Sequence, residues 1–124
     1  MTTRGIVHPV LGTVEFDAAA PDDITPFAAD LAGFDERARH AMRQDSPLDD
    51  YLDFDGAAEV LGAMFHADTA TFVAALRLVR VGLSPGETGT RAVFDYTLGR
   101  HLTDHVVAVT FDATGTVDSV AVES

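Results

Sequence analysis

The sequence predicts an α+β domain in which helices pack on one face of an antiparallel sheet. Apolar and polar residues alternate near the start, apolar residues recur at spacings of three and four in the middle, and short β-branched runs follow from residue 76 onward. A chain of 124 residues with 47% hydrophobic residues has the size and composition of one domain with one core. Residues 1–124 are therefore predicted to form a single unit.

The first element is the stretch GIVHPVLGTVEFD, residues 5–17. It holds two short apolar runs separated by His8-Pro9 and Gly12, and Val14 and Phe16 alternate with polar residues. This pattern predicts a hairpin or a kinked edge strand.

A helix is predicted next, over residues 26–44. Thr25 followed by Pro26 is typical of an N-cap with proline at the first helical position. The apolar residues that follow recur with helical period despite the presence of Gly33. They are Phe27, Leu31, Phe34, Ala38 and Met42.

Two more helical segments are predicted before the sheet resumes. Ser46 with Asp49 three residues later forms a capping-box pattern, which predicts a second helical region to about residue 65. Asp68 is a candidate cap for a short helix carrying Phe72, Val73 and Leu76.

The C-terminal part predicts an antiparallel meander of four strands, LRLVRVGL, RAVFDYTL, HVVAVTF and VDSVAV, joined by the turn-like segments SPGETG, GRHLTD and DATG. Alternation places Val107, Val109 and Phe111 on one face, and it places Phe94, Tyr96 and Leu98 on one face of the strand before. The register of the last run stays open, because strict alternation would place Asp118 on the same face as Val120 and Val122.

The charge of the chain excludes some partners. Twenty acidic residues face eight basic ones, all arginine, so the net charge is −12. Such a field repels phosphate backbones and anionic lipid, so neither nucleic acid nor a membrane is expected as a partner. The charge either only keeps the protein in solution or faces a basic protein. The candidate interaction residues are Asp49, Asp50, Asp53, Asp55 and Glu59.

Several kinds of chemistry are not expected. The chain has no cysteine, which excludes disulfides, thiolate catalysis and cysteine-based metal centres. No secretory signal and no membrane span is found, and a reducing cytoplasm is the simplest compartment. No cofactor is predicted.

The segment GRHLTDHVVAV holds the pattern most suggestive of chemistry, with His101, Asp104 and His105 within five positions. Two histidines four apart share one metal when they lie on a helix, but in an extended chain they are about 13 Å apart. Because strand-like runs flank the segment, we expect an inter-strand turn in which Asp104 binds its own backbone. The three residues remain weak candidates for a metal or acid–base site.

Two further sequence patterns resemble known functional motifs, but the residues around them do not fit those motifs. GLSPG, residues 82–86, matches a nucleophile elbow around Ser84, but a strand rather than a helix is predicted next. The stretch DDYLDFDGAAE resembles an EF-hand centre, yet Tyr51 and Gly62 would stand at the two end positions that require acids. Capping and an exposed acidic helix face explain these acids, and adventitious divalent binding is the alternative.

The closing block FDYTLGRHLTDHVVAVTFDATGTVDSVAVES, with the opening HPVLG, resembles a family of small bacterial proteins classed as a domain of unknown function. The likeness rests on an FDY strand, a T-D step and a V-x-F-D-x-x-G hairpin before Glu-Ser, while AAAPDDITPFAADLAG departs from it. The resemblance implies a compact α+β domain, favours a turn at Asp104 and implies no activity.

Together these features predict a small acidic cytoplasmic protein that acts through protein–protein interaction rather than as an enzyme, such as an inhibitor or an immunity-type partner. One alternative is a small-molecule or metal-binding domain, or a weak hydrolase, that uses His101, Asp104 and His105. Another is self-association through a sheet edge to give a homodimer.

Overall fold

The computed structural model describes residues 2–19, 21–45, 69–86, 89–97 and 106–123. Two strands come first, β1 (Thr2–His8) and β2 (Gly12–Ala18). Among the described residues, a 3₁₀ turn (Pro21–Asp23) and three helices follow, α1 (Ile24–Ala29), α2 (Leu31–Gln44) and α3 (Thr69–Ala75). Four strands complete the described part, β3 (Arg77–Gly86), β4 (Gly89–Thr97), β5 (Val106–Phe111) and β6 (Val117–Glu123). The predicted α+β class is confirmed.

The strands form one six-stranded sheet in the order β1-β2-β3-β4-β5-β6. Every neighbouring pair is antiparallel except β2 and β3, which run parallel. A parallel pair needs a long crossover connection, and the segment that carries the helices supplies it. The predicted N-terminal hairpin and the C-terminal meander are thus both present, and the parallel pair that joins them was not predicted.

One face of this sheet carries the core. Phe16, Val81, Phe94, Val109 and Val120 lie opposite one another across five strands, and the first four are fully buried. Burial of each such side chain stabilises the fold by roughly 1.5–3 kcal/mol. The faces predicted from alternation are confirmed for β5, where Val107, Val109 and Phe111 are buried, and for Phe94 and Tyr96 of β4. Leu98 lies outside the described residues.

A β-bulge settles the register of β6. Thr110 lies opposite Ser119 but Phe111 lies opposite Val117, so Asp118 is an extra residue in this strand. One inserted residue exchanges the two faces of a strand. Val117, Val120 and Val122 therefore all pack against the core, while the Asp118 carboxylate pairs with Arg91 at 2.9 Å.

The predicted helix over residues 26–44 is wrong in two details. It begins earlier, because α1 starts at Ile24 and Thr25 lies inside it, with Asp23 at the N-cap position. It is also interrupted at Asp30, whose φ of −124° and ψ of 34° are not helical. Aspartate favours such interruptions because its side chain competes for backbone hydrogen bonds. A Cβ at Gly33 would lie 2.5 Å from Asp30 Oδ1, so glycine there leaves room for the Asp30 carboxylate.

The predicted apolar stripe is confirmed and fixes the position of α2. Leu31, Ala38 and Met42 are buried, and Phe27 and Phe34 pack against the core. The ring centroid of Phe34 lies 5.8 Å from that of Phe94 and 5.3 Å from that of Phe111. The helix α2 therefore lies on the core face of the sheet. In α3 Phe72 and Val73 are buried, and Leu76 is buried just after its end.

The predicted helical region of residues 46–65 and the predicted cap at Asp68 lie outside the described residues. Within the part of the chain that is described, no helix is long and apolar enough to cross a membrane.

Candidate functional site

The candidate residues from the sequence fall outside the described parts of the chain. This holds for both the possible metal or acid–base cluster and the acidic segment. They are His101, Asp104, His105, Asp49, Asp50, Asp53, Asp55 and Glu59. Their roles stay predictions.

Ser84 is described, and its surroundings do not form a nucleophile elbow. It is exposed within β3 and lies opposite Arg91 of β4. The next element after β3 is the strand β4, so no helix supplies the oxyanion amides that the elbow requires. Gly82, Gly86 and Gly89 lie in the same hairpin and resemble a glycine-rich phosphate-binding loop, but among the described residues no helix follows them to direct its amides at a phosphate.

An acidic cleft of about 500 Å³ lies beside the start of α2. We define this acidic cleft by four carboxylates, two from the 3₁₀ turn, one from the α1–α2 junction and one from the β5–β6 turn. They are Asp22, Asp23, Asp30 and Asp112. Phe27 and Phe34 line its apolar part, and their ring centroids are 4.9 Å apart. Acid and aromatic surface thus meet in one concavity.

Asp112 is held rigidly within the predicted DATG turn, which is confirmed. Its Oδ1 accepts hydrogen bonds from the Thr114 hydroxyl at 2.6 Å, the Thr114 amide at 2.9 Å and the Thr116 amide at 3.1 Å. The turn closes through Gly115, whose φ of 82° favours glycine. The Thr114 hydroxyl, followed by the Thr116 amide, lowers the pKa of Asp112. This carboxylate therefore keeps its charge in mildly acidic solution.

Arg37 lines the acidic cleft and shows how the cleft holds a guanidinium. Its Cζ lies 4.4 Å from the Phe34 ring centroid, and its Nη2 lies 3.5 Å from Asp30 Oδ2. A stacked ring and a carboxylate are the two groups that recognise arginine most often. Because four carboxylates face this one guanidinium, the cleft keeps an excess of negative charge.

A buried polar network lies further along α2. The Asp35 side chain accepts a hydrogen bond from the Tyr96 hydroxyl at 2.7 Å and from Arg39 Nε at 3.0 and 3.2 Å. Arg39 Nη1 also donates to the Val73 carbonyl at 2.6 Å, which ties α2 to α3. Burial, followed by the nearby Asp35 charge and hydrogen bond, raises the pKa of Tyr96 far above its ordinary value. Tyr96 is therefore a permanent donor at neutral pH.

Asp35 was not predicted as a functional residue, although the sequence carries a signal for it. Asp35 stands four residues after Leu31 and three before Ala38, within the apolar stripe. An acid at such a position requires a buried partner. Tyrosine is the one aromatic side chain with a hydroxyl, and Tyr96 was predicted to share a face with Phe94. A hydrogen bond between Tyr96 and Asp35 could therefore have been proposed from the sequence.

A second cleft, of about 520 Å³, opens beside this network. Three guanidinium side chains from α2 and β3 line it, Arg39, Arg43 and Arg77, and we call it the arginine cleft. Val10 and Leu11 of the hairpin loop form part of its wall. A third cleft of about 560 Å³ lies between α2 and the β5–β6 turn. Glu36, Arg37 and Arg43 line it, so it carries both signs of charge and shares Arg43 with the arginine cleft.

The sheet face opposite the core holds ion pairs that explain several charged residues. Arg80 pairs with Asp17, which also accepts a hydrogen bond from the Thr3 hydroxyl at 2.9 Å. Burial raises the pKa of Asp95, Arg80 opposes this and Glu123 adds to it. These contacts link β1, β2, β3 and β4 and need no ligand.

The chain matches no protein-family model, no curated protein and no solved structure. Within residues 2–19, 21–45, 69–86, 89–97 and 106–123, no group of three or more His, Asp or Glu side chains is arranged to hold a metal ion. The acidic cleft and the arginine cleft are candidate sites among the described residues.

Proposed function

We propose that this chain is a small acidic cytoplasmic protein that binds a basic protein, and that the acidic cleft receives an arginine side chain of that partner. The observation that carries the proposal is the meeting of four carboxylates with the Phe27 and Phe34 rings in one concavity. Binding, rather than catalysis, is the role that such a set of groups supports.

The cleft supports this role by its charge and its shape together. A protein of net charge −12 attracts a basic partner over distance, and an acidic concavity concentrates that attraction. Arg37 already stacks on Phe34 and pairs with Asp30, so the cleft already binds one guanidinium of the protein itself. Asp22 and Asp23 remain to receive a second guanidinium.

A partner of this kind would bind in two stages. Long-range attraction would raise the association rate and would weaken with salt. Direct contact would then pair a guanidinium with the carboxylates of Asp22 and Asp23 while its flat face covers the half-buried Phe27 ring. An inhibitor or an immunity-type protein would act in this way by covering a basic site on its target.

The test uses a nonaarginine peptide, with nonalysine as a second probe, and measures affinity at low and high salt by fluorescence anisotropy. The triple variant Asp22→Asn, Asp23→Asn and Asp112→Asn removes three charges from the acidic cleft. The matched control removes three charges elsewhere, with Glu15→Gln, Asp45→Asn and Glu123→Gln. We expect the cleft variant to lose at least about tenfold in affinity and the control to lose about two- to threefold through net charge alone.

A third arm tests the acidic segment predicted from the sequence, with Asp49, Asp50, Asp53, Asp55 and Glu59 neutralised together. This arm removes five charges and the other two variants remove three each, so the losses are compared per charge removed. A larger loss per charge in this arm than in the cleft variant would move the interaction surface to that segment. Equal losses per charge in all arms would leave only a general effect of net charge and would contradict the proposal. A preference for nonaarginine over nonalysine is expected, because only the guanidinium stacks on aromatic rings as Arg37 does.

Three finer predictions belong with this proposal. We propose that the helices, including those predicted between residues 46 and 65, lie on one face of the sheet. The family resemblance of the C-terminal block stays a prediction. Self-association is the alternative mode, supported by the outer positions of β1 and β6 and by Val7, which is 78% exposed. Light scattering at high protein concentration would reveal a homodimer.

A further inference from the structure

We infer that the arginine cleft binds a small organic phosphate monoester, with the phosphate between Arg43 and Arg77 and its apolar body against the hairpin loop. This site is separate from the acidic cleft and does not depend on the proposed protein interaction. Its ligand has the opposite charge.

Among the described residues, the arginine cleft contains arginines that have no acidic partner. Four described arginines, Arg37, Arg39, Arg80 and Arg91, each form an ion pair with an aspartate. Within the described part of the chain, Arg4, Arg43 and Arg77 form no ion pair, and the last two both line the arginine cleft. In a protein with 20 acidic residues and eight basic ones, two unpaired guanidiniums in one cleft are unexpected without an anion to bind.

Arg39, which lines the arginine cleft, is held in place by hydrogen bonds. The Asp35 carboxylate balances the charge of Arg39, and both of its oxygens accept hydrogen bonds from Arg39 Nε. Arg39 Nη1 donates a further hydrogen bond to the Val73 carbonyl. Arg39 is therefore a rigid part of the wall. A Cβ at Gly12, whose φ is +79°, would lie 4.0 Å from Arg77 Nη2, which places that guanidinium beside the hairpin loop.

The lining defines the class of ligand. Two uncompensated guanidiniums match the charge of a phosphate monoester, about −1.5 to −2 at pH 7, better than the single charge of a carboxylate. Val10 is 84% exposed beside them, and Leu11 is half-buried, so the cleft also offers apolar contact. A phosphate attached to an aromatic or aliphatic body satisfies both kinds of surface.

The experiment titrates phenyl phosphate into the ¹⁵N-labelled protein and follows the amide signals of Leu11 and Gly12. We expect saturable binding with a Kd below about 1 mM. Inorganic phosphate and benzoate are expected to bind at least about tenfold more weakly, because each lacks one of the two kinds of contact. Arg43→Gln and Arg77→Gln are each expected to weaken phenyl phosphate binding at least about tenfold. Both side chains are exposed, so the fold should persist, and circular dichroism checks this.

Arg4→Gln is the matched control, because Arg4 is exposed and lies on β1 outside the cleft. Its affinity for phenyl phosphate should equal that of the unaltered protein. An equal loss in Arg4→Gln, or the absence of saturation up to about 10 mM, would overturn the inference. Equal affinity for inorganic phosphate would indicate an adventitious ion only, and tighter binding of benzoate would exclude a phosphate ligand. Each of these results leaves the peptide-binding test of the acidic cleft unaffected.

Discussion

The acidic cleft and the arginine cleft are lined by the same helix, α2, and have opposite charge. Asp30 stands at the N-terminal end of α2, where the helix dipole favours negative charge, and Arg43 stands in its last turn, where the dipole favours positive charge. Between these two ends of α2, Asp35 forms an ion pair with Arg39 and balances its charge. The protein of net charge −12 therefore carries two clefts of opposite charge, and we propose a different class of ligand for each.

The largest effect is expected from removing the buried carboxylate that supports the arginine cleft. Asp35→Ala leaves the Tyr96 hydroxyl and the Arg39 guanidinium without their shared acceptor in a region where the Asp35 side chain is 11% exposed. We expect a loss of about 3 kcal/mol in the free energy of unfolding, measured by urea denaturation.

The corresponding change in the acidic cleft provides the control. Asp30→Ala removes an ion pair whose two side chains are 48% and 67% exposed, and it should cost less than about 1 kcal/mol. If the two substitutions cost the same, the distinction between a buried support and a solvated surface charge would be wrong.

Much of the fold follows from local pattern. The β5 alternation, the α2 stripe and the DATG turn depend on neighbours in sequence, and all three were predictable. The parallel pairing of β2 with β3 depends on where the chain rejoins the sheet after the helices, and no local sequence pattern indicates this position. The bulge at Asp118 also depends on the partner strand, since only the pairing with Thr110 and Phe111 shows which residue is extra.

The charged clefts were less predictable than the fold. Composition gave the sign of the net charge, but the acidic cleft combines residues from three segments separated by up to ninety positions in the sequence. The arginine cleft requires the hairpin loop to meet α2 and β3, which follows from the sheet order. The sequence patterns that looked most like chemistry lie outside the described residues, and these clefts were found from three-dimensional proximity alone.

Tyr96 should make the stability of the protein depend on pH in alkaline solution. The folded-state pKa of Tyr96 is raised above the ordinary value of 10.0, so its stabilising contribution is complete below that pH and is lost as the pH rises beyond it. The free energy of unfolding should fall by up to about 1.4 kcal/mol per pH unit above about pH 10. Tyr96→Phe should abolish this part of the slope, while costing about 1 kcal/mol at neutral pH through the lost hydrogen bond. Parallel slopes for both proteins would show that Tyr96 ionises as freely in the folded state as in the unfolded chain.

The smallest effect is expected at Asp112, on the acidic side of the comparison. The folded-state pKa of Asp112 is lowered, so its contribution to stability is present above the ordinary value of 3.8 and is lost as the pH falls through the lower folded-state value. Asp112→Ala should therefore reduce the Tm slightly near pH 6, and the difference from the unaltered protein should shrink toward about pH 2. Asp112→Asn is the matched variant, because it keeps an acceptor for the Thr114 and Thr116 donors while removing the charge. The same Tm for Asp112→Ala and the unaltered protein at every pH would mean that the turn is held by its backbone and glycine conformation rather than by the carboxylate, and the acidic cleft would then keep its shape without Asp112.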